Sequence, residues 1–357
     1  MVGTEFGTVV TLSIYTIIHN MNLFKKAIVF TDLHYGLKNN SVRHNEDCAA
    51  FIDWVVATGK AQGCDTCLFL GDYHNNRASI NLHTMNYGVR GLEKLAQNFS
   101  QVFFIPGNHD LYFRDKRDIH GLAWAPHINN IHIINDWFKE GNVVIAPWLI
   151  HDDHKKIAKM KGQYMFGHFE LPSFMMNAQV EMPDTGEVRL EDFQRFDSVF
   201  SGHFHIRQQK GNIHYIGNAF PHNYSDAGDD RRGAMVLEWG QKPQYFTWDQ
   251  QPTYRVFKLS ELIDKHESLL NKNVHCRVHL DIDISYEEAS FIKETFIAKY
   301  GVREMSLIPV KGETVAQDLA PGDVKFESVD QIIHQQLTAI NSEFYDPALL
   351  LQIYQNL

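Results

Sequence analysis

Five short segments carry side chains that can bind metal ions: TDLH (Asp32, His34), GDYH (Asp72), GNHD (Asn108, His109, Asp110), GHFE (His168) and GHFH (His203, His205). Carboxylates, imidazoles and one amide oxygen, with no thiolate, suit hard to borderline divalent ions. Ions such as Mn²⁺ or Fe²⁺ fit such a set, with Mg²⁺ a further candidate, in preference to a thiolate-type zinc site. Seven ligands (Asp32, His34, Asp72, Asn108, His168, His203 and His205) are too many for one ion with open positions. They are enough for two ions sharing a carboxylate, and two such ions roughly 3.5–4 Å apart can activate water and clamp a phosphoryl group. If the run ending at Phe200 is a strand that continues, His203 and His205 face the same side. Each then supplies a ligand to one ion.

The elements that position these groups follow from the flanking pattern. Strands are expected at 27–31, 67–70, 102–105, 131–134, 143–146, 164–166 and 198–200, and helices near 46–61, 81–98, 152–161 and 188–195. This alternation is that of an α/β layered fold. Each of the five segments stands at the end of an expected strand, where functional groups of open α/β sheets gather. Three of the glycines sit between strand and ligand, where a tight turn requires freedom in φ. After residue 210 the pattern becomes hairpin-like (NIHYIG, GAMVLEW, QYFTW). A second unit begins near residue 255, with a strand over 275–284, a helix over 285–300 and a strand over 303–310. Beyond DLAPGD (318–323), Ile332, Ile333, Leu337 and Ile340 fall at helical spacing. Such a stretch either packs on its own domain or binds a partner.

Composition sets the outer bounds. With 357 residues, 44% hydrophobic and 21% charged, the chain has the make-up of a soluble globular protein of one large core or two domains. The apolar run TVVTLSIYTII (8–18) is shorter than the roughly 20 residues of a membrane span and has no Lys or Arg before it. Met21 directly precedes the first expected core strand, so residues 1–22 read as a dispensable N-terminal extension. Four cysteines argue for a reducing, cytoplasmic interior, and Cys64-x-x-Cys67 lacks the second pair that a zinc site needs. The net charge of −10 is uneven: residues 261–357 carry −8 and residues 1–260 only −2, so the front of the chain is open to an anionic partner.

The order D-x-H, G-D, G-N-H-D, G-H, G-H-x-H resembles the calcineurin-like metallophosphoesterase superfamily. More narrowly, FGHFEL, VFSGHFH and IHYIGNAF…DAGDDRRG are similar to SbcD-type recombination nucleases, those of T-even-like bacteriophages included. The resemblance implies a four-layer α-β-β-α sandwich over 23–254, a small α+β DNA-capping domain over 255–317 and helices within 318–357 that dock on an SbcC-type, SMC-like ATPase. It implies that Asp32, His34 and His205 hold one metal, that Asn108, His168 and His203 hold the other, and that Asp72 bridges. His109 would stabilise or protonate the departing 3′ oxygen, since an imidazole can give a proton near neutral pH. Asp110 either orients that imidazole or caps its loop. The implied activity is Mn²⁺-dependent 3′-to-5′ degradation of duplex ends and cutting of single strands by a homodimer, in recombination, repair and recombination-dependent replication.

The chain departs from the pattern after Asp72. Nuclease relatives have an aromatic residue and then a His or Asp three places on, whereas this chain reads Tyr73-His74-Asn75-Asn76. His74 and Asn75 are therefore both candidates for supporting the site. Arg77, Arg114, Lys116, Arg117, Arg231 and Arg232, with Lys155, Lys156, Lys159 and Lys161 on one expected helix, are candidates for contacting a phosphate backbone or a plain solvated face. A phosphatase or small phosphodiesterase on the same scaffold is the alternative. However, the D-R-G and G-N-H-E of serine/threonine phosphatases are missing. A non-catalytic scaffold requires a broken ligand set, and this one is whole.

Overall fold

The computed structural model describes residues 22–176, 180–186 and 188–309. The N-terminal extension and the docking helices read from the sequence lie outside the described residues. Four parallel strands, β1 (Lys26–Phe30), β2 (Thr66–Phe69), β3 (Gln101–Phe104) and β4 (Ile131–Ile133), form the middle and one edge of a first sheet. Its crossovers are α1 (Val42–Gln62) and α2 (Leu82–Asn98). A second sheet contains β5 (Phe138–Glu140), β6 (Val143–Ile145), β7 (Gly162–His168), β8 (Phe196–Gly202), β9 (Gln208–Lys210) and β10 (Ile213–Tyr215). Its order is β5-β6-β7-β8-β10-β9, with β6, β7, β8 and β10 parallel and an antiparallel strand at each edge. The hairpin β11 (Gly233–Glu238) and β12 (Gln244–Thr247) then returns to the first sheet, antiparallel to β1.

Burial on both faces explains why these strands read as unbroken apolar runs. In β1, Ile28 and Phe30 pack with Phe51, Ile52 and Val55 of α1 and with Leu92 and Leu95 of α2. Ala27 and Val29 face the opposite way, into a core between the sheets with Phe166, Phe200, Met235 and Leu237. The outer face of the second sheet is covered by Phe169, Leu171, Phe174 and Phe193. The fourth layer is thus present but thin. The helix expected over 152–161 is a 3-10 turn, His151–Asp153, and one helical turn, His154–Ile157, while 188–195 is a 3-10 segment, Leu190–Arg195. Both stretches lack an apolar stripe: only Ile157 and Phe193 are well buried among their hydrophobic residues.

Past residue 250 the chain forms a three-stranded parallel sheet from β13 (Thr253–Lys258), β14 (Val274–Leu280) and β15 (Glu304–Pro309), crossed by α3 (Leu259–Leu269) and α4 (Tyr286–Tyr300). Sequence pattern found β14, α4 and β15 and missed β13 and α3. This unit has its own apolar cluster around Leu262, Val278, Phe296 and Met305. Arg303 ties it to α1 through Asp47 (Nη2–Oδ1 2.8 Å). Cys67 is buried in β2, Cys64 is half-buried, and all four cysteines are free thiols. Among the described residues no helix is long and apolar enough to cross a membrane.

Candidate metal centre

Parallel strands end on one side, and the two sheets bring five strand ends together. Asp32 and His34 follow β1, Asp72 follows β2, Asn108 and His109 follow β3, His168 ends β7, and His203 and His205 follow β8. The first two turns are stitched to each other: the Asp32 amide donates to the Gly71 carbonyl (2.9 Å), and the amides of Leu33 and His34 both donate to the Asp72 carbonyl (3.0 Å each). Asp32, His34, Asp72 and His203 all have left-handed backbones, with φ of 51°, 52°, 61° and 86°. Such conformations cost about 1–3 kcal/mol each in residues with a side chain and cluster at functional sites.

Asp32, Asp72 and His168 each have one polar atom fixed by a hydrogen bond and another turned toward the centre. Asp32 Oδ2 accepts from the Thr31 hydroxyl (2.7 Å) and the His203 amide (3.0 Å). Its Oδ1 has no hydrogen-bond partner among the described residues and lies 3.8 Å from His34 Nε2 and 3.7 Å from His205 Nε2. Asp72 Oδ1 accepts from the His109 amide (2.9 Å), while Oδ2 stands 3.6 Å from His34 Nε2 and 3.4 Å from His168 Nε2. His168 Nδ1 donates to the Leu70 carbonyl (2.6 Å), which fixes the tautomer and turns Nε2 inward. Asn108 Oδ1 lies 3.2 Å from His168 Nε2 and 3.1 Å from His203 Nδ1. Two donors bonded at ~2.1 Å to one ion stand roughly 3.0–3.5 Å apart. These separations are close to that spacing. Among the described residues the buried Asp32 Oδ1 and His34 Nε2 have no hydrogen-bond partner, and an ion between them would satisfy both.

Electrostatics keeps the carboxylates charged. Burial opposes ionisation of Asp72, but the imidazoles of His168 and His34 outweigh it and hold the carboxyl well below its usual range. Burial likewise opposes Asp32, and His34 and His168 bring it to about 2. Burial pushes His205 down to about 4.

Several expectations change in detail. His203 and His205 lie beyond the end of β8, so strand alternation does not orient them. The left-handed turn at His203 sends the pair apart, one toward Asn108 and the other toward Asp32. Gly71 has φ +107°, but Gly107, Gly167 and Gly202 have no positive φ and serve close approach instead. A Cβ on Gly202 would meet Thr31 Oγ1 at 2.1 Å, and one on Gly107 would meet Asp72 Oδ1 at 2.2 Å. Asp110 does not touch the His109 ring. Its carboxylate accepts from the amides of Tyr73 (3.0 Å), His74 (2.8 Å) and Gly107 (3.0 Å), clamping the GNHD turn to the GDYH turn. The His109 ring is held instead by the Asn75 carbonyl, and His74 lies buried beside Asp110.

Two arginines read as phosphate contacts are structural. Arg232 is 0% exposed and pairs with Asp226 (3.3 Å) and Asp229 (3.1 Å). Arg117 donates to the Trp148 carbonyl (2.7 Å) and to Asp153 (2.6 Å), and the Trp148 ring packs 5.7 Å from His168 and 5.4 Å from His203. Arg114, Lys116 and Arg231 are exposed, while Arg77 is half-buried with Arg114 and Asp72 in its electrostatic surroundings. Lys155 and Lys156 are occupied by Asp152 and Asp153. Sequence reasoning missed His222, which lines the same cleft of about 200 Å³ as His34, Asp72 and His109. Burial, with His205 and His34 beside it, pushes its imidazole well below the usual range. No glycine or aspartate motif marks it in PHNYSD.

Two stacked, parallel-rich sheets with aspartate, asparagine and histidine at their common carboxyl edge define a metal-dependent hydrolase of the metallophosphoesterase class. The chain belongs to the calcineurin-like phosphoesterase family, whose model matches residues 25–207. That family uses two divalent metal ions, and the His/Asp groups here can hold them. Exonuclease subunit 1 of Enterobacteria phage T4 is 22% identical over 294 residues, covering 73% of this chain and 86% of that protein. Among solved structures, a dimetal phosphatase from Danio rerio is similar over 59% of this chain and 91% of its own (11% identity, TM-score 0.38). The Pseudomonas putida nuclease MPE is similar over 53% and 66% (16% identity, TM-score 0.27).

Proposed function

We propose that the chain is a Mn²⁺-dependent DNA nuclease, acting 3′-to-5′ on duplex ends and endonucleolytically on single strands. The observation that carries this reading is the single Asp72 oxygen shared between His34 and His168, within an otherwise whole ligand set. Asp32, His34 and His205 would hold one ion and Asn108, His168 and His203 the other, with Asp72 available to both. When bound, the ions supply water activation and Lewis-acid stabilisation of the phosphoryl group. His109, doubly protonated, would give the Nε2 proton to the departing 3′ oxygen and return to the neutral ring, while the Asn75 carbonyl (2.8 Å) keeps the proton on Nδ1. Arg77, which has Arg114 and Asp72 in its electrostatic surroundings, and the exposed Arg114 would meet flanking phosphates without reading sequence.

DNA as substrate, and a second subunit, are supported by the likeness to a phage exonuclease subunit. The partner is an SbcC-type ATPase docking on the segment 318–357, the unit over 255–317 caps the DNA, and the nuclease domain forms a homodimer. Together they serve recombination, repair and recombination-dependent replication. One assay tests the reading: purified protein with MnCl₂ is offered a labelled linear duplex, a phosphoprotein and a cyclic nucleotide. The duplex is shortened, EDTA stops it, and Asp72→Ala loses both metal and activity. Turnover of the phosphoprotein or the cyclic nucleotide with the duplex untouched establishes a phosphatase or small phosphodiesterase instead.

A further inference from the structure

His222 is 1% exposed, and neither ring nitrogen has a hydrogen-bond partner among the described residues. A buried imidazole in that state has given up its bonds to water for nothing in return, which native proteins avoid. The residue is firmly held. Its amide donates to Asp226 Oδ2 (2.9 Å), its carbonyl accepts from the Tyr254 hydroxyl (2.8 Å), and buried Arg232 secures Asp226. The ring lies 5.3 Å from His34 and 5.2 Å from His205, centroid to centroid. One nitrogen from each of His34, His205 and His222 lies within 4.8 Å of the other two. Packing against Phe220 accounts for the apolar edge of the ring but not for its nitrogens.

We infer that His222 is a third imidazole ligand for the ion that Asp32, His34 and His205 hold. This rests on the two-ion reading above and adds a ligand outside the five strand-end motifs. The donor set of that ion becomes richer in nitrogen than that of its neighbour, which favours Mn²⁺ or Fe²⁺ over the oxygen-seeking Mg²⁺.

The test uses the full chain stripped with chelator, alongside His222→Leu and His222→Gln. Mn²⁺ binding is followed by the EPR signal of free ion and by metal content after desalting, and Co²⁺ loading by visible absorption. Circular dichroism of the stripped proteins confirms the fold, and the polar glutamine keeps one variant close to wild type. Wild type is expected to take up two ions. Each variant loses affinity for one of them by about 10-fold or more, and its Co²⁺ bands change. A folded His222→Gln protein that binds both ions with wild-type affinity and an unchanged Co²⁺ spectrum overturns the role of His222 alone. Wild-type protein that takes up fewer than two ions overturns the two-ion reading with it.

Discussion

The Nδ1 atom of His109 lies 2.8 Å from the backbone carbonyl of Asn75. A carbonyl can only accept, so Nδ1 keeps a proton, and Nε2 has one to give only when the ring is doubly protonated. The carbonyl is itself held, because the Asn75 amide donates to the Tyr35 carbonyl (2.9 Å). His109→Ala should therefore keep wild-type metal content while kcat falls by about 10²- to 10⁴-fold. Asn75→Ala, which retains the carbonyl, should stay within a few-fold of wild type. Metal analysis beside kinetics checks both, and near-normal turnover by His109→Ala removes the proton-donor role.

Arg231 and Arg232 are adjacent in sequence and opposite in environment. Arg232→Ala leaves Asp226 and Asp229 without their buried cation and should destabilise the fold by about 3–5 kcal/mol, read from urea melts. Arg231→Ala should leave stability unchanged. Arg77→Ala and Arg114→Ala should weaken DNA binding on every sequence and flatten its salt dependence. A normal salt slope in both removes them from the DNA surface.

Asp153 sets an acid limit on the wall behind the metal centre. Burial opposes its ionisation, but hydrogen bonds from Lys156 and Arg117 lower the carboxyl to about 2. A depressed carboxyl stabilises the fold above its unfolded value of about 3.9 and loses that contribution as pH falls through the folded value. Thermal melts of metal-free protein should show Asp153→Asn losing less stability than wild type between about pH 4 and pH 2. Parallel curves would assign that acid sensitivity to other groups.

Gly107 touches Asp72 so closely that a methyl group cannot enter. Gly107→Ala would place Cβ 2.2 Å from Asp72 Oδ1 and 2.4 Å from its backbone nitrogen, displacing the Asp72 carboxylate. Metal content should drop sharply. Gly141→Ala is the control, with φ +55° but open space around it, and should cost only about 1–2 kcal/mol of backbone strain. Full metal content in Gly107→Ala would mean that the two turns can separate without harm.

The strands were legible because both of their faces are buried: Ala27–Phe30 and Cys67–Phe69 read as apolar runs whatever packs on them. The segment 152–161 misled because its lysines resemble the polar face of a helix, whereas too little apolar surface lies between them to hold more than one turn. Arg117 and Arg232 looked like their exposed neighbours, since composition does not say which cation will meet a buried aspartate.

Residue type and order alone determined the α/β class, the five strand-end segments and a donor set suited to two divalent ions, because each depends on local periodicity and side-chain chemistry. Tertiary structure decided which oxygen of Asp72 faces both His34 and His168, that the Asn75 carbonyl and not Asp110 holds His109, and that His222 joins the cleft. Those relationships arise between residues that are distant in sequence or on opposite turns. They exist only once two sheets pack face to face and bring their strand ends to one edge.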